Sequence, residues 1–381
     1  MSIRTSEQVL TTANDAQWRS TLEEFDLYDF YHLPSFHRLA ESRGEGEAVM
    51  PVFRSGGYVM AFPMLLRDIV TPAQTKLDCK DATSINGFAG PLTSSRDLPD
   101  DVRRGFLNAL DDFFAQSRII AAYSRLHPIT CDPDLMWGYG QTVDIGFMLS
   151  IDLTIPPEAQ WRNYRRDHRK VIGRLRRNGY TCREVGVERL DEIHAIYLQT
   201  MRRVGADPAF LFDKAYFEYL LTQIPEAIHV YSCSRDGTMA AFTLFSTCGG
   251  IVTGYLSGTE DAYVAEAPSR IIYDDMRLLG NEIGAKIFHL GGGVGGRRDA
   301  LYDFKKGFAT HEHVYRTWRH VVDQRSYDEV CREMIGCAPD ESDMQFFPAY
   351  RDPELQERTI YPLALEGERT IYPLSRGRGS G

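Results

Sequence analysis

The sequence predicts an α+β protein made of two successive halves, each a mixed sheet flanked by helices. Short apolar segments bounded by glycine-containing turns indicate strands, and longer segments with apolar residues three and four positions apart indicate helices. The order of strands and helices before residue 153 recurs after it. This recurrence predicts that the two halves have related folds.

The first half, residues 1–153, alternates strands with helices. Two of its strands flank Ser55-Gly56-Gly57, a sequence typical of a hairpin turn. Thr154-Ile155-Pro156-Pro157 then interrupts both periodicities, and the boundary between the halves is placed there. The predicted strands are 48–53, 58–66, 119–126 and 142–151, and the predicted helix is 102–116.

The second half, residues 154–335, begins with a basic helix that ends at Gly179, a residue typical of the position after a helix. Asp236-Gly237 and Gly249-Gly250 separate three later strands, which predicts an antiparallel meander. The predicted helices are 158–178, 187–204, 214–223, 268–283 and 298–306, and the predicted strands are 182–186, 227–234, 239–247, 251–257, 286–290 and 313–322.

Residues 336–381 differ from both halves and are expected to form a flexible tail. One heptapeptide, Glu-Arg-Thr-Ile-Tyr-Pro-Leu, occurs in it twice, at 357–363 and at 368–374. Two copies are too few for a repeat architecture. A docking peptide is the alternative to simple disorder.

The composition excludes a protein whose whole surface attracts polyanions, since the 381 residues carry a net charge of −10. Any contact with nucleic acid must therefore come from a local basic patch. Seven scattered cysteines without a C-x-x-C pair favour reduced thiols in the cytoplasm over disulfides or structural zinc. Neither a signal peptide nor a membrane-spanning stretch is predicted.

The most informative segment runs from His289 to Phe308, where a short apolar stretch leads into a glycine-rich bend and a short helix bearing two lysines. Gly291, Gly293 and Gly296 match the dinucleotide-binding pattern G-x-G-x-x-G. However, the following helix is too short for the crossover of a βαβ unit, and arginines open it where acidic residues are preferred. A dinucleotide site is therefore not predicted.

Three segments together resemble the Fem family of aminoacyl-tRNA-dependent transferases, whose fold is that of the GNAT acyltransferases. Residues 81–92 resemble the family's Y-G-Y-G-G-P segment, and residues 161–180 resemble its basic helix. The resemblance covers residues 30–322 and implies tandem GNAT-like domains that share one cleft. The residues that match the family's motif D-x-L-x-x-F-K-x-x-F are Asp299, Leu301, Phe304, Lys305 and Phe308.

The resemblance implies an enzyme that forms an amide bond, with aminoacyl-tRNA as the donor substrate and no bound cofactor. The expected acceptor is an amine of a peptidoglycan precursor, or of a small peptide or natural product. Two alternatives remain. One is an N-acyltransferase that takes acyl-CoA and acts on a sugar or amine, and the other is a protein that binds tRNA or another partner without catalysis.

Lys305 is the first catalytic candidate, because a fixed cation beyond a glycine bend can face the oxyanion of an acyl transfer. The resemblance places Lys305 on the family's motif lysine, near the transferred acyl group, with Phe304 beside the substrate. Lys306 is interpreted as a solvated lysine at a helix C-terminus. Tyr255, at the end of a predicted strand, is the second catalytic candidate, and core packing is its alternative role.

The shared cleft implied by the resemblance predicts further residues that bind substrate. In GNAT proteins two strands diverge to form the cleft, and the predicted strand 251–257 ends where this divergence is expected. Residues of the first half are expected to receive the acceptor. The candidates are Ser257, Tyr216 and Arg202 in the second half, and Asp81 and Asn86 in the first.

The basic helix is the predicted phosphate-binding surface. Val171, Ile172 and Leu175 give it an amphipathic pattern, and its basic face suits the phosphates of a tRNA acceptor stem or of coenzyme A. A solvated face paired with nearby acidic residues is the alternative. The candidate phosphate-binding residues are Arg162, Arg165, Arg166, Arg169 and Lys170.

The absence of one sequence pattern helps to distinguish between the two possible donor substrates. GNAT proteins that use acetyl-CoA resemble one another in an R/Q-x-x-G-x-G/A loop before a helix N-terminus, and residues 258–269 lack it. This favours aminoacyl-tRNA over acyl-CoA. No metal site is predicted, because His311 and His313 lack a third ligand.

Overall fold

The computed structural model describes residues 5–132, 134–338 and 346–353. The strands are β1 Thr5–Thr11, β2 Glu47–Ser55, β3 Tyr58–Ala61, β4 Met64–Val70, β5 Lys76–Thr83, β6 Leu92–Thr93, β7 Ile119–Leu126, β8 Gln141–Asp152, β9 Thr181–Val185, β10 Ile228–Arg235, β11 Thr238–Cys248, β12 Ile251–Thr259, β13 Ile287–Gly292 and β14 His311–Val321. The α-helices are α1 Asp15–Leu22, α2 Pro34–Ser42, α3 Asp100–Gln116, α4 Pro157–Asn163, α5 Arg166–Arg177, α6 Leu190–Val204, α7 Lys214–Gln223, α8 Ser269–Glu282, α9 Ala300–Lys306 and α10 Gln324–Ile335.

One mixed sheet runs through both halves of the part of the chain that the structure describes. Its strand order is β6-β3-β2-β4-β5-β7-β14-β8-β13-β12-β11-β10-β9, and β1 pairs with β2. The last strand, β14, lies between β7 and β8 and is antiparallel to both. The second half therefore inserts its final strand between the last two strands of the first half, which joins the halves through backbone hydrogen bonds.

Helices cover both faces of the strands in the second half. On one face, α6 and α7 pack with α1 and α2 around a single apolar core; this is called the α6 face. On the other, α5, α8 and α9 form a second core with β13; this is called the α8 face. The predicted α+β architecture, with a mixed sheet flanked by helices, is confirmed.

The single basic helix predicted at 158–178 is two helices, α4 and α5. Between them Tyr164 has an extended backbone, with φ −60° and ψ 139°, and its side chain is buried. Its ring packs edge-on against Phe308, with centroids 4.9 Å apart, and the amide of Arg165 donates to the Gly307 carbonyl oxygen at 2.7 Å. These tertiary contacts outweigh the helical pattern at this point.

The strand predicted at 58–66 is also divided, into β3 and β4, at Phe62 and Pro63. Proline cannot donate to a strand ladder, so the ladder ends there. The buried ring of Phe62 packs against Trp318 on β14, with centroids 5.7 Å apart.

Residues 346–353 belong to the tail that the sequence analysis expected to be flexible, but they pack against the protein. Tyr350 is fully buried beside α10, and its hydroxyl donates to the Asp81 carboxylate at 3.1 Å. The repeated heptapeptide lies outside the described residues. None of the helices among the described residues combines the length and the apolar character that crossing a membrane requires.

Candidate active site

Strands β12 and β13 pair over a short stretch and then diverge. Backbone pairing joins residues 251–253 to residues 287–289. Beyond it, β12 continues along β11 while β13 continues along β8. A bulge directly after His289 bends β13 away from its neighbour. The sheet is therefore open between these two strands, at the position where the sequence analysis expected a cleft.

Lys305, on α9, reaches the opening from the α8 face. Its ammonium donates to the carbonyl oxygen of Gly292 at 2.9 Å, on a part of β13 that has no β12 partner. Gly291 permits this approach because it has no side chain: a Cβ there would crowd the ammonium at 3.0 Å from Nζ. Its backbone φ of 74° is also one that favours glycine. Burial lowers the pKa of Lys305 to about 8, and Asp299 opposes the shift.

On the α6 face, aromatic side chains line the opening. The hydroxyls of Tyr255 on β12 and Tyr216 on α7 are hydrogen-bonded to each other. The ring of Tyr255 packs against Phe30 and Tyr31, with centroids 5.0 and 6.1 Å apart. Burial raises the pKa of both hydroxyls above the ordinary value. They are therefore protonated at neutral pH and suit hydrogen bonding to a substrate rather than removal of a proton.

Asn86 and Phe88 extend this lining from the first half. Asn86 accepts a hydrogen bond from Arg125 at 2.9 Å and borders a narrow groove with Tyr216. Phe88 is half-buried, and its ring meets that of Tyr315 edge-on, with centroids 5.1 Å apart. The predicted residues Tyr255, Tyr216 and Asn86 thus lie on one face of the sheet, whereas Lys305 approaches from the other.

Asp81 is not in this arrangement. It is fully buried, and its carboxylate is bonded to Arg67 at 2.6 Å and to Arg351 at 2.5 Å. A carboxylate that is already paired with two guanidinium groups is not available to bind the acceptor substrate. The position of Asp81 therefore does not support its predicted role in acceptor binding. Ser257 and Arg202 are exposed, on β12 beyond the opening and at the end of α6.

The basic helix α5 is connected to the helix that carries Lys305. The Arg165 guanidinium donates to the Asp303 carbonyl oxygen at 3.4 Å, and His168 Nε2 donates to the Phe304 carbonyl oxygen at 2.8 Å. His168 Nδ1 accepts from Arg270, in the first turn of α8, at 2.9 Å. Burial lowers the pKa of His168, which fits a neutral ring that donates on one side and accepts on the other.

Phe304, predicted to lie beside the substrate, packs on the α8 face. Its ring meets that of Tyr273 edge-on, with centroids 5.6 Å apart, and the guanidinium carbon of Arg270 lies 5.4 Å from its centre. The Tyr273 hydroxyl lies over Gly254, the first residue of β12 beyond its pairing with β13. It would be 3.6 Å from a Cβ at that position, so Tyr273 lies at the opening. Phe304 therefore helps to form the wall from which Lys305 extends.

The candidate phosphate-binding residues divide into two groups. Arg165 is ion-paired within the first turn of α5, and Arg169 donates to the carbonyl oxygen of Arg162 at 2.9 Å. Arg166 and Lys170 lie one turn apart on α5 and are exposed. Arg162, at the end of α4, is also exposed, and only its carbonyl oxygen takes part in the bond from Arg169.

A buried carboxylate lies where the two halves meet beside the opening. Asp29 accepts hydrogen bonds from His127 Nε2 at 3.0 Å, from the Thr253 hydroxyl at 2.7 Å and from the amide of Phe30 at 2.6 Å. Burial by itself would raise the pKa of Asp29, but the hydrogen bonds from His127 and from the Thr253 hydroxyl hold it below the ordinary value. Asp29 and His127 belong to the first half, and Thr253 to the second.

Asp29, His127 and His289 offer ligand atoms within 4.8 Å of one another, a spacing that suits a metal ion. The hydrogen bonds of His127 do not fit such an ion. Its Nδ1 accepts from the amides of Ile129 and Thr130 at 3.2 and 3.1 Å. The ring proton is therefore on Nε2, the atom that would bind the metal, whereas a ligating histidine carries its proton on the other nitrogen. The arrangement favours a hydrogen-bonded cluster.

This cluster could not be predicted from local sequence patterns. Asp29 and His127 are 98 residues apart, and no local pattern connects them. His289 offered the one available signal, because it interrupts an otherwise apolar strand directly before the glycine bend. A polar residue in that position must either find a buried partner or face a ligand.

Comparison with known proteins supports the predicted fold. Residues 162–306 match the family model of the acetyltransferase (GNAT) domain. The crystal structure of FemX is 12% identical, with a TM-score of 0.67 over 84% of this chain and 98% of FemX. A conserved protein of unknown function from Bacteroides thetaiotaomicron VPI-5482 is 10% identical, with a TM-score of 0.52 over 83% of this chain and 99% of that protein. A search of curated proteins found no match.

These similarities confirm the predicted GNAT-type fold, with an overall architecture like that of FemX, and the match of residues 162–306 to an acetyltransferase domain bears out the prediction of an acyltransferase. At 10–12% identity the two structures establish the fold alone. The identity of the substrates therefore depends on the chemistry of the site and does not follow from the fold.

Proposed function

We propose that this chain, an acyltransferase with a Fem-like and GNAT-type fold, transfers an aminoacyl group from aminoacyl-tRNA to an amine and so forms an amide bond. The proposed acceptor is a peptidoglycan precursor, or a small peptide or natural product with a free amine. The aminoacyl ester is already activated, so positioning and one cation suffice and no bound cofactor is needed.

The position of Lys305 carries this proposal. Its ammonium is fixed 2.9 Å from the Gly292 carbonyl oxygen, at the point where the sheet opens. A cation that is already held in place needs little reorganisation when an ester carbonyl becomes an oxyanion, and this is the form of stabilisation that lowers the barrier to acyl transfer.

The reaction can be followed atom by atom. The amine nitrogen attacks the ester carbonyl carbon, a C–N bond forms, and the carbonyl electrons move to the oxygen that faces Lys305. Collapse of this adduct breaks the C–O bond to the ribose, and the leaving oxygen takes the proton that the amine loses. Tyr255 and Tyr216 remain protonated and hydrogen-bond the acceptor.

The donor would approach from the α8 face, where both the basic helix and Lys305 are found. Arg166 and Lys170 are exposed there. The hydrogen bonds of Arg165 and His168 to α9 connect this surface rigidly to the helix of Lys305. Phosphates bound on α5 would therefore hold the ester in a defined relation to the ammonium.

Acyl-CoA is the alternative donor, because Arg270 stands in the first turn of α8, where a helix N-terminus attracts phosphate. Two observations weigh against it. Arg270 already donates to His168, and residues 258–269 lack the R/Q-x-x-G-x-G/A loop that precedes this helix in GNAT proteins that use acetyl-CoA.

The proposal is tested by incubating the protein with a mixture of charged tRNAs and a cell extract and detecting the amide product by mass. We expect a product that disappears when the tRNA is digested with ribonuclease beforehand. Turnover with acyl-CoA in the absence of tRNA would support the alternative donor. Binding of charged tRNA without any turnover would contradict the proposed enzyme and support a binding protein.

A further inference from the structure

His289 is a buried imidazole without a hydrogen-bond partner among the described residues. It is 1% exposed, and both ring nitrogens are unpaired. The Asp29 carboxylate faces the ring, but its Oδ2 lies 4.0 Å from Nδ1, beyond hydrogen-bonding distance. A buried polar group left unpaired destabilises the folded protein. Packing alone therefore does not account for a histidine at this position.

The surroundings keep this ring neutral and favour one of its two tautomers. Burial, together with the neighbouring His127, His313 and Lys305, lowers the pKa of His289 to about 3, and Asp29 opposes the shift. Because Nδ1 is the nitrogen that faces the Asp29 carboxylate, the proton of the neutral ring is favoured there. Nε2 is then left with an unused lone pair.

The ring also lies at the candidate active site. His289 is the last residue of β13 that pairs with β12 before the strands diverge. Phe88 covers it edge-on, with ring centroids 5.8 Å apart, and Phe88 is itself only half-buried. Phe88 also meets the ring of Tyr31 on the α6 face, with centroids 5.7 Å apart, so His289 lies directly behind the aromatic side chains where the acceptor is proposed to bind.

We propose that His289 is a catalytic residue that contacts the nucleophilic amine and relays its proton. Nε2 accepts the N–H of the amine, which directs the nitrogen lone pair toward the ester carbon. As the C–N bond forms, the proton moves to Nε2. As the C–O bond breaks, the proton passes to the leaving oxygen, and His289 is neutral again. This inference rests on the proposed amide-forming function.

The low pKa keeps the ring neutral, so Nε2 is available to accept a proton from the ammonium of the tetrahedral adduct. A general base works best with a pKa near the operating pH, so the relay needs stabilisation of the imidazolium to offset the low basicity of the ring. Asp29 faces Nδ1 and stabilises the short-lived imidazolium. Lys305 opposes protonation of an amine that waits beside it, which favours the neutral, nucleophilic form of the acceptor.

The first test needs no activity. Nitrogen-15 NMR of the full chain, with labelled histidine, reports the charge and the proton position of each ring, and H289Q identifies the signal of His289. We expect a neutral ring with the proton on Nδ1 from about pH 5 to pH 8. A charged ring at pH 6, a proton on Nε2, or stoichiometric binding of Zn²⁺ at this cluster would overturn the inference.

The second test is kinetic. H289F removes both nitrogens while keeping an aromatic ring, and turnover is expected to fall by about 10²–10⁴ with an unchanged KM for the donor. H289Q, which can place an amide oxygen near the position of Nε2, should recover part of the loss. The matched control is H313Q, which changes a neighbouring histidine that is bonded to Ser150 at 2.8 Å and should leave turnover close to wild type.

Chemical rescue separates chemistry from folding. H289A leaves space for a ring, and added imidazole should restore turnover by about tenfold or more if the lost group relays a proton. Wild-type turnover in H289F, or no response of H289A to imidazole, would overturn the inference while leaving the proposed function intact. A wild-type protein that is inactive with every donor would instead contradict the proposed function, and the NMR test would still decide the state of His289.

Discussion

Lys305 and Lys306 show how position decides what one residue type can do. Lys306 is exposed, and its ammonium pairs with Glu312 at 3.3 Å. Lys305 is turned inward, donates to Gly292 and has a pKa lowered to about 8 by burial. The sequence places both lysines at a helix end, but the glycine bend leaves room beside β13 for the first one only.

The lowered pKa predicts a dependence of turnover on pH. As pH rises above about 8, Lys305 loses the proton that faces the oxyanion, so kcat/KM should fall. An arginine stays protonated over this range, and K305R should therefore lack the fall even if its turnover is lower. The profile is measured with an acceptor amine of low pKa. An identical fall in both proteins would contradict the assignment.

At the scale of elements, α5 and α9 act as one unit. Gly307 lies directly after α9 in a helical conformation, with φ −65° and ψ −14°, so its backbone would accept alanine. A Cβ there, however, would lie 2.1 Å from Nε2 of His168, the residue that bonds α5 to α9. This close approach makes Gly307 a probe of the connection between the two helices.

G307A is predicted to displace His168, to lower the free energy of unfolding by about 1–3 kcal/mol and to reduce turnover. The control is G173A within α5, where the nearest atom to a new Cβ is Arg177 Nη1 at 3.4 Å. That change should be neutral or stabilise by up to about 1 kcal/mol. Urea denaturation and kcat measure both effects. Equal stability and turnover in the two variants would show that the connection is unimportant.

The exposed face of α5 predicts a salt effect on donor binding. Replacement of Arg166 and Lys170 by glutamate should weaken binding of charged tRNA and make it less sensitive to salt, by about one unit of slope for each phosphate that the variant no longer neutralises. The control reverses Arg325 and Arg332 on α10, which carries the same change in charge. Binding isotherms at several salt concentrations provide the slopes. An unchanged slope for the α5 variant would show that this face does not meet the donor.

Elements with a strong local signal could be predicted from the sequence. The hairpin at 55–57, the meander and the lysine helix after the glycine bend all depend on turn residues and on periodicity. The division of the basic helix could not be predicted in this way. It results from burial of Tyr164 against Phe308, which lies far away in the sequence. Local propensity yields to such tertiary contacts.

At the scale of the whole molecule, the site depends on how the halves are joined. The cluster at the junction takes Asp29 and His127 from the first half, and Thr253 and His289 from the second. Sequence patterns placed Lys305 and Tyr255 in a cleft, but they gave no sign of these nonlocal partners. The insertion of β14 between β7 and β8 was likewise not expected from the order of the strands.

Three buried histidines predict sensitivity to acid. Burial lowers the pKa of His32 to about 3, of His37 to about 4 and of His289 to about 3, from an ordinary value of 6.5. The unfolded chain therefore binds more protons between these values. The free energy of unfolding should decrease as pH falls from 6.5 toward 4, by roughly 1.4 kcal/mol per pH unit for each histidine.

Urea denaturation at pH 7, 6 and 5 measures this slope. H37Q removes one titrating group and should reduce the average slope between pH 7 and pH 5 by about 1 kcal/mol per pH unit. H311Q, a change at an exposed position, should leave it unaltered. A slope that H37Q does not change would show that His37 is not a source of the acid sensitivity.

The central claim is that the fixed ammonium of Lys305 stabilises the oxyanion of acyl transfer. The most direct measurement compares turnover of K305A with that of K306A, using the donor and acceptor that support wild-type activity. We predict that K305A lowers kcat by about 10²–10³ while K306A stays close to wild type. Equal turnover in the two variants would contradict the claim.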